Sequence, residues 1–204
     1  LSRLNTERTA IEMVDFEGQH VYSISLGPDG CLWLGMAADG LFKYDYINKK
    51  VVKHWQMPLV LRTLITNDGR IWVATIGGLY LIDALTYEIT LFKSDPQNPN
   101  SLPYDVVTWI SQISPSEFLV GTQSKGLVQM HHKNFGDKPY FKQLFGQTRL
   151  AKLAIGAVVK DANDDFWITT TEGLARSNSS LTELQFFDGN DGASASGYFI
   201  GAHA

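Results

Sequence analysis

The sequence predicts an all-β chain, a β-propeller segment of four-stranded antiparallel blades, and three observations carry that expectation. The first is a turn–strand–loop–strand unit. It is clearest in NDGRIWVATIGGL (67–79) and recurs as PDGCLWLGMAADGL (28–41), PSEFLVGTQSKGL (115–127) and NDDFWITTTEGL (163–174). The second is its period: the equivalent positions Trp33, Trp72, Leu119 and Trp167 lie 39, 47 and 48 residues apart. Periods of roughly 40–50 residues with several short strands each are those of propeller blades, whereas helical repeats show a 3.6-residue apolar period. The third is internal spacing. Seven residues separate that position from the next strand's opening glycine in the first and third copies (Gly40, Gly126), and six in the others (Gly78, Gly173).

Each element then follows in order. Residues 1–16, LSRLNTERTAIEMVDF, read as the trailing half of a blade, because they align with LARSNSSLTELQFF (174–187), Leu1 falling on Leu174. The first complete copy is expected over 17–57, with strands at 21–26, 31–34, 41–46 and 51–55. The second, over 58–98, places strands at 60–65, 71–74, 79–82 and 89–92. Each strand is short and apolar, and each break carries Gly, Asn, Asp or Pro. SDPQNPNSLPYDVV (94–107) holds three prolines and is neither helix nor central strand, which makes it a crossover between blades. The third copy spans 99–145 with a longer HHKNFGDKP loop, and the fourth spans 146–187. Residues 188–204 supply a crossover and one inner strand, a leading half-blade able in principle to pair with residues 1–16 as a split blade, with ring closure left open. An open ring leaves edge strands unpaired, so self-association through blade edges is also expected.

Bulk properties limit the function. The chain has 204 residues, 44% of them hydrophobic, and a formal net charge of -4. That suffices for a core and argues against nucleic acid as a partner, which needs clustered Lys and Arg. The one cysteine, Cys31, forms no internal disulfide. The sequence contains no apolar run long enough for a membrane-spanning helix and no signal peptide.

The quoted units resemble the two-component regulator propeller repeat. The residues that carry the likeness are Asp29-Gly30, Trp33 and Gly40-Leu41; Asp68-Gly69, Trp72 and Gly78-Leu79; Trp167 with Gly173-Leu174. The crossover residues Asp95-Pro96, Asn98-Pro99-Asn100 and Ser101-Leu102 add to them. Departures are Leu119 for Trp, Ala74 and Thr169 for Gly, and the missing Asp-Gly in the last two copies. The tail from 186 resembles a last repeat that precedes an immunoglobulin-like domain. The resemblance implies an extracytoplasmic, periplasmic sensor region of a hybrid histidine kinase or related receptor. Its parent would be membrane-anchored and dimeric, with catalysis in domains outside this chain and a small-molecule or oligosaccharide ligand.

Chemistry-bearing patterns are few. His131-His132 alternate across a strand and read as an exposed loop rather than a metal site. Asp161, Asn163, Asp164 and Asp165 resemble a short calcium loop, but no glutamate follows at the needed distance, so a hairpin turn is the better reading. No catalytic residue, metal or cofactor is expected. Ligand residues are sought where inner strands face the propeller axis. Alignment on the Trp position makes Ser23, Arg62, Trp109 and Ala157 equivalent. Arg62 offers a forked donor for carboxylates, and Trp109 offers either a stacking face or core packing. Tyr104, Lys125 and Arg149 lie in crossovers and loops expected to reach the same face. Two alternatives to the sensor reading stand: a propeller-scaffold lyase or hydrolase, and a ligand-free interaction scaffold. The inner strands hold few carboxylates, which favours the sensor.

Overall fold

Four consecutive four-stranded antiparallel sheets build the protein, each strand pairing with the next in sequence. The computed structural model describes residues 1–4, 6, 7, 9, 11–13, 16–193, 197 and 198. A two-stranded sheet comes first, β1 (Ser2–Leu4) with β2 (Ile11–Met13). The first blade is β3 (Val21–Leu26), β4 (Leu32–Met36), β5 (Leu41–Asp45) and β6 (Lys50–Trp55). The second is β7 (Val60–Ile65), β8 (Arg70–Thr75), β9 (Gly78–Asp83) and β10 (Ile89–Phe92). The third comprises β11 (Val107–Ser114), β12 (Glu117–Thr122), β13 (Leu127–His131) and β14 (Tyr140–Gln143). The fourth comprises β15 (Ile155–Lys160), β16 (Phe166–Thr170), β17 (Gly173–Ser177) and β18 (Leu184–Phe187). The expected strands agree with these to within two residues at either end. β1 and β2 pair Ser2 with Met13, the register in which β17 and β18 pair Ala175 with Phe186. The leading half-blade expected over 188–204 lies largely outside the described residues.

The first hairpin of a blade closes on a turn set by local chemistry. In the first, second and fourth blades one backbone pattern recurs: Gly27 N–H to Cys31 O, Thr66 N–H to Arg70 O, Asp161 N–H to Asp165 O. Gly30, Gly69 and Asp164 hold the left-handed position of that turn, which Gly takes without strain and Asp tolerates. The Asp161 carboxylate accepts from Asn163 N, Asp165 N and the Trp167 indole at 2.8, 3.1 and 2.9 Å. The acidic cluster is thus a hairpin turn. In the third blade Ser114 and Glu117 pair directly, so the Asp-Gly is missing because the turn is shorter.

The second hairpin uses a device the sequence reading overlooked. Thr75, Thr122 and Thr170 are buried at the ends of β8, β12 and β16, and each hydroxyl donates to the carbonyl of Gly78, Gly126 or Gly173 at 2.8–3.0 Å. The glycine is required by contact as well as by φ. A Cβ on Gly40 would lie 2.4 Å from Trp55 O, and one on Gly173 2.5 Å from Phe187 O.

Blades pack through the repeated aromatic position. Trp33, 1% exposed, shares a buried cluster with Val60, Ile71, Val73 and Ile82 of the next blade. Trp72 is enclosed with Phe118, Val120 and Met130 of the third blade. Leu119 joins Ile155, Ala157 and Ile168 in the corresponding place. The crossover at 94–107 is tied by Asp95 N–H to Ser101 Oγ (2.9 Å) and Ser94 N–H to Asp105 Oδ1 (2.7 Å). Its Leu102 is fully buried beneath Trp72's cluster.

The histidine pair departs from the expected exposed loop. His131 ends β13, is exposed, and meets Glu117 at 2.7 Å. His132 is buried, because alternation along the strand turns it into the interface between the second and third blades. There Arg70 Nη1 lies 2.9 Å from His132 Nδ1 and donates to His132 O, while Nη2 donates to Pro115 O. Burial, and then the Arg70 charge, hold the imidazole below its ordinary pKa.

Candidate functional site

The innermost strands β3, β7, β11 and β15 stand side by side, and each begins with a register irregularity two residues before the aligned position. Such a bulge increases local twist and re-aims the next side chains. Between β3 and β7 the contact is polar: Ser23 Oγ and Ser25 Oγ lie 2.8 and 2.7 Å from Thr63 Oγ1. Between β11 and β15, Thr108 Oγ1 donates to Ile155 O at 2.6 Å.

Arg62 and Trp109 occupy the equivalent positions on β7 and β11, and the structure brings them together. The Arg62 guanidinium carbon sits 3.9 Å from the centroid of the Trp109 ring, a stacked cation–π contact. Both border a cleft of about 330 Å³ whose other walls include Ser111, Ile113, Val158 and Phe166. Gln112 and Lys160 stand at its rim. Arg62 is half-buried, and its Nε is buried without a hydrogen-bond partner. Burial alone draws its pKa downward, with no neighbouring carboxylate to offset it; arginine nonetheless stays charged at neutral pH.

Trp109 does not offer a free stacking face. It is 3% exposed and belongs to the buried cluster between the third and fourth blades, with Leu119, Ile155 and Phe166. Of its two anticipated roles, core packing is the one realised, and Arg62 covers the ring. Tyr104, Lys125 and Arg149 do not line this cleft. Tyr104 is half-buried in the crossover. Lys125 borders a separate hollow with Asp95, Pro96 and Gln143. Arg149 lies over the Phe186 ring at 4.1 Å, beside Thr148 and Glu172. Their short sequence distance from β11 and β15 did not reveal which end of the blade each loop serves. Ser111, Gln112 and Lys160 do reach the cleft, and of these Ser111 follows Trp109 at the alternate position along its strand.

Among the described residues no three His, Cys, Asp or Glu side chains gather into a metal-binding group. Among them too, no helix is long and apolar enough to cross a membrane.

The geometry defines a class, the β-propeller, and solved structures share it. The extracellular domain of the putative hybrid two component system BT4673 from B. thetaiotaomicron superposes with a TM-score of 0.68 at 17% identity. That match covers 87% of this chain and 24% of the other, so the chain spans about a quarter of its length. Virginiamycin B lyase from Staphylococcus aureus matches at 0.58 and 17% identity, over 82% of this chain and 55% of that one. PorZ, a surface component of the type-IX secretion system of Porphyromonas gingivalis, matches at 0.63 and 14%, over 93% and 30%. The chain matches no family model and no curated protein. The particular likeness is therefore one of fold, and it includes the extracellular domain of a putative hybrid two component system.

Proposed function

We propose that the chain is part of a sensor propeller, the periplasmic region of a two-component receptor such as a hybrid histidine kinase. It binds a small ligand between its inner strands and relays the change to an output domain outside this chain. The observation that carries the reading is Arg62: a half-buried, charged side chain without a carboxylate partner, stacked at the wall of an axial cleft. A buried charge without a partner, set in a concave cleft, is a functional-site candidate on physical grounds. The likeness to the BT4673 extracellular domain supports the same class of role. A membrane-anchored, dimeric parent follows from that role, and residues 1–16 would serve as the outer half of a split blade.

The lyase match keeps an enzyme in view, since one fold hosts many activities. The cleft's polar groups are a guanidinium, an ammonium, a hydroxyl and a carboxamide. Such a set binds and orients but holds no carboxylate pair for acid and base work, which favours recognition over turnover.

Thermal-shift screening against oligosaccharides, amino acids and organic acids tests the proposal. A dose-dependent rise in melting temperature that Arg62→Ala abolishes is the expected result. A flat response across the panel would replace the sensor by a scaffold whose signal arrives through a protein partner.

A further inference from the structure

The inference rests on the reading of the Arg62 cleft as a ligand site and goes on to the ligand's chemistry. Four other cations on the blades are each paired with a turn carboxylate. Lys43 meets Asp29 at 2.6 Å, Arg70 meets Asp68, Arg176 meets Asp165 at 2.6 Å, and Lys160 meets Asp164 at 2.7 Å. Arg62 departs from this rule: among the described residues no carboxylate pairs with it. One face of its guanidinium lies on Trp109, and the in-plane fork of N–H donors, its Nε buried without a partner, is what a ligand can engage. A neutral ring has no open indole to stack on, whereas a carboxylate matches the fork in shape and charge. The walls beyond it, Ile113, Val158 and Phe166, are apolar.

We propose that this cleft binds a small carboxylate with an apolar body, the carboxylate forked on Arg62 and the body against Ile113, Val158 and Phe166. The charge missing from the protein is supplied by the ligand, and the free protein carries an uncompensated cation that binding relieves.

Phenylacetate and phenylacetamide, alike in shape and different in charge, provide the probes, followed by calorimetry and thermal shift. Phenylacetate is expected to bind and raise the melting temperature, and phenylacetamide to leave it unchanged. Arg62→Met removes the stacked guanidinium with its charge and leaves an apolar stem in its place. It should melt no lower than wild type without ligand and should weaken phenylacetate roughly tenfold to a hundredfold. Arg62→Lys, charged but without the fork, should fall between them.

A clear drop in melting temperature for ligand-free Arg62→Met would make Arg62 a structural stack and overturn the proposal. Equal, Arg62-dependent binding of acid and amide would refute the anion while leaving the cleft as a ligand site. Acid binding indifferent to Arg62→Met would refute both. No response to phenylacetate, benzoate or succinate would overturn the carboxylate class.

Discussion

Trp33 and Trp167 hold the same position of the repeat in the first and fourth blades, and the same partners surround them. Each faces a cation on the third strand, Lys43 or Arg176, paired in register and lying 5.6 Å from the ring centroid. Each cation is tied to a carboxylate of the first turn, Asp29 or Asp165. The difference is what lies beyond. In the first blade Tyr87 of the second blade caps Lys43 at 3.0 Å, and Trp33 is sealed against Trp55 and the next sheet. In the fourth blade Arg176 and Asp165 border an open hollow of about 270 Å³, and Trp167 is half-buried. One local sequence thus has two surroundings among the described residues, sealed in the first blade and half-buried in the fourth. The neighbour decides, because burial of an aromatic ring requires a second apolar wall.

The sharpest way to break this comparison is to truncate both tryptophans. Trp33→Ala should lower unfolding stability by about 3–5 kcal/mol in urea titration, and Trp167→Ala by less than about 2 kcal/mol, since much of its surface stays in water. Equal losses would mean that the Trp167 face is covered in solution. The glycines provide the control, because their contacts lie within a blade and owe nothing to the neighbour. Gly40→Ala and Gly173→Ala each force a left-handed residue against a backbone carbonyl. Both should lose a similar amount, roughly 2–4 kcal/mol. A large gap between them would show that the blades differ internally and not only in their surroundings.

Smaller effects separate the two cations. Lys43→Met removes an ion pair and a phenol contact in a nearly buried setting, with an expected loss of about 1–2 kcal/mol. Arg176→Met breaks a half-buried pair with no phenol cap and should lose less than Lys43→Met, about 1 kcal/mol or below. A double-mutant cycle with Asp29 and Asp165 measures each coupling directly.

The interface between the second and third blades adds a pH test that the first interface lacks. His132 is folded with its pKa below the ordinary imidazole value, near 6.5. The unfolded chain therefore binds the proton first as pH falls. The stabilisation is complete above about pH 6.5 and declines as pH drops towards the folded value. Asp68 and Asp137 oppose the shift without reversing it. Urea midpoints measured across this window should fall with acidity in wild type and fall less in His132→Gln. Identical slopes in the two proteins would remove His132 as the titrating group.

Much of the fold was legible because it repeats. The period of the tryptophans, the Asp-Gly turns and the glycine after each second strand specify strand order and register locally. The half-buried strands show the alternation that a sheet imposes. The candidate site was legible in part. Alignment on Trp33 placed Arg62 and Trp109 in one ring of positions, and they do meet. It did not show that Arg62 would lie over Trp109 and close its face. Nor could it place Tyr104, Lys125 and Arg149, since a loop's sequence position does not specify which end of the axis it covers. His132 was misread because adjacency to His131, Lys133 and Asn134 suggested solvent. The carbonyls and Arg70 that bury it come from 16 and 62 residues away.

By itself, then, the sequence determined what depends on neighbours along the chain: the strand periodicity, the two hairpin turns and the number of complete blades. Tertiary structure decided what depends on neighbours across it. How fully a repeated tryptophan is sealed, which cation a neighbouring phenol caps, and which histidine is buried are all set by the blade that packs alongside. Backbone turns are governed by a few consecutive dihedrals, whereas burial is a property of space shared by residues far apart in sequence.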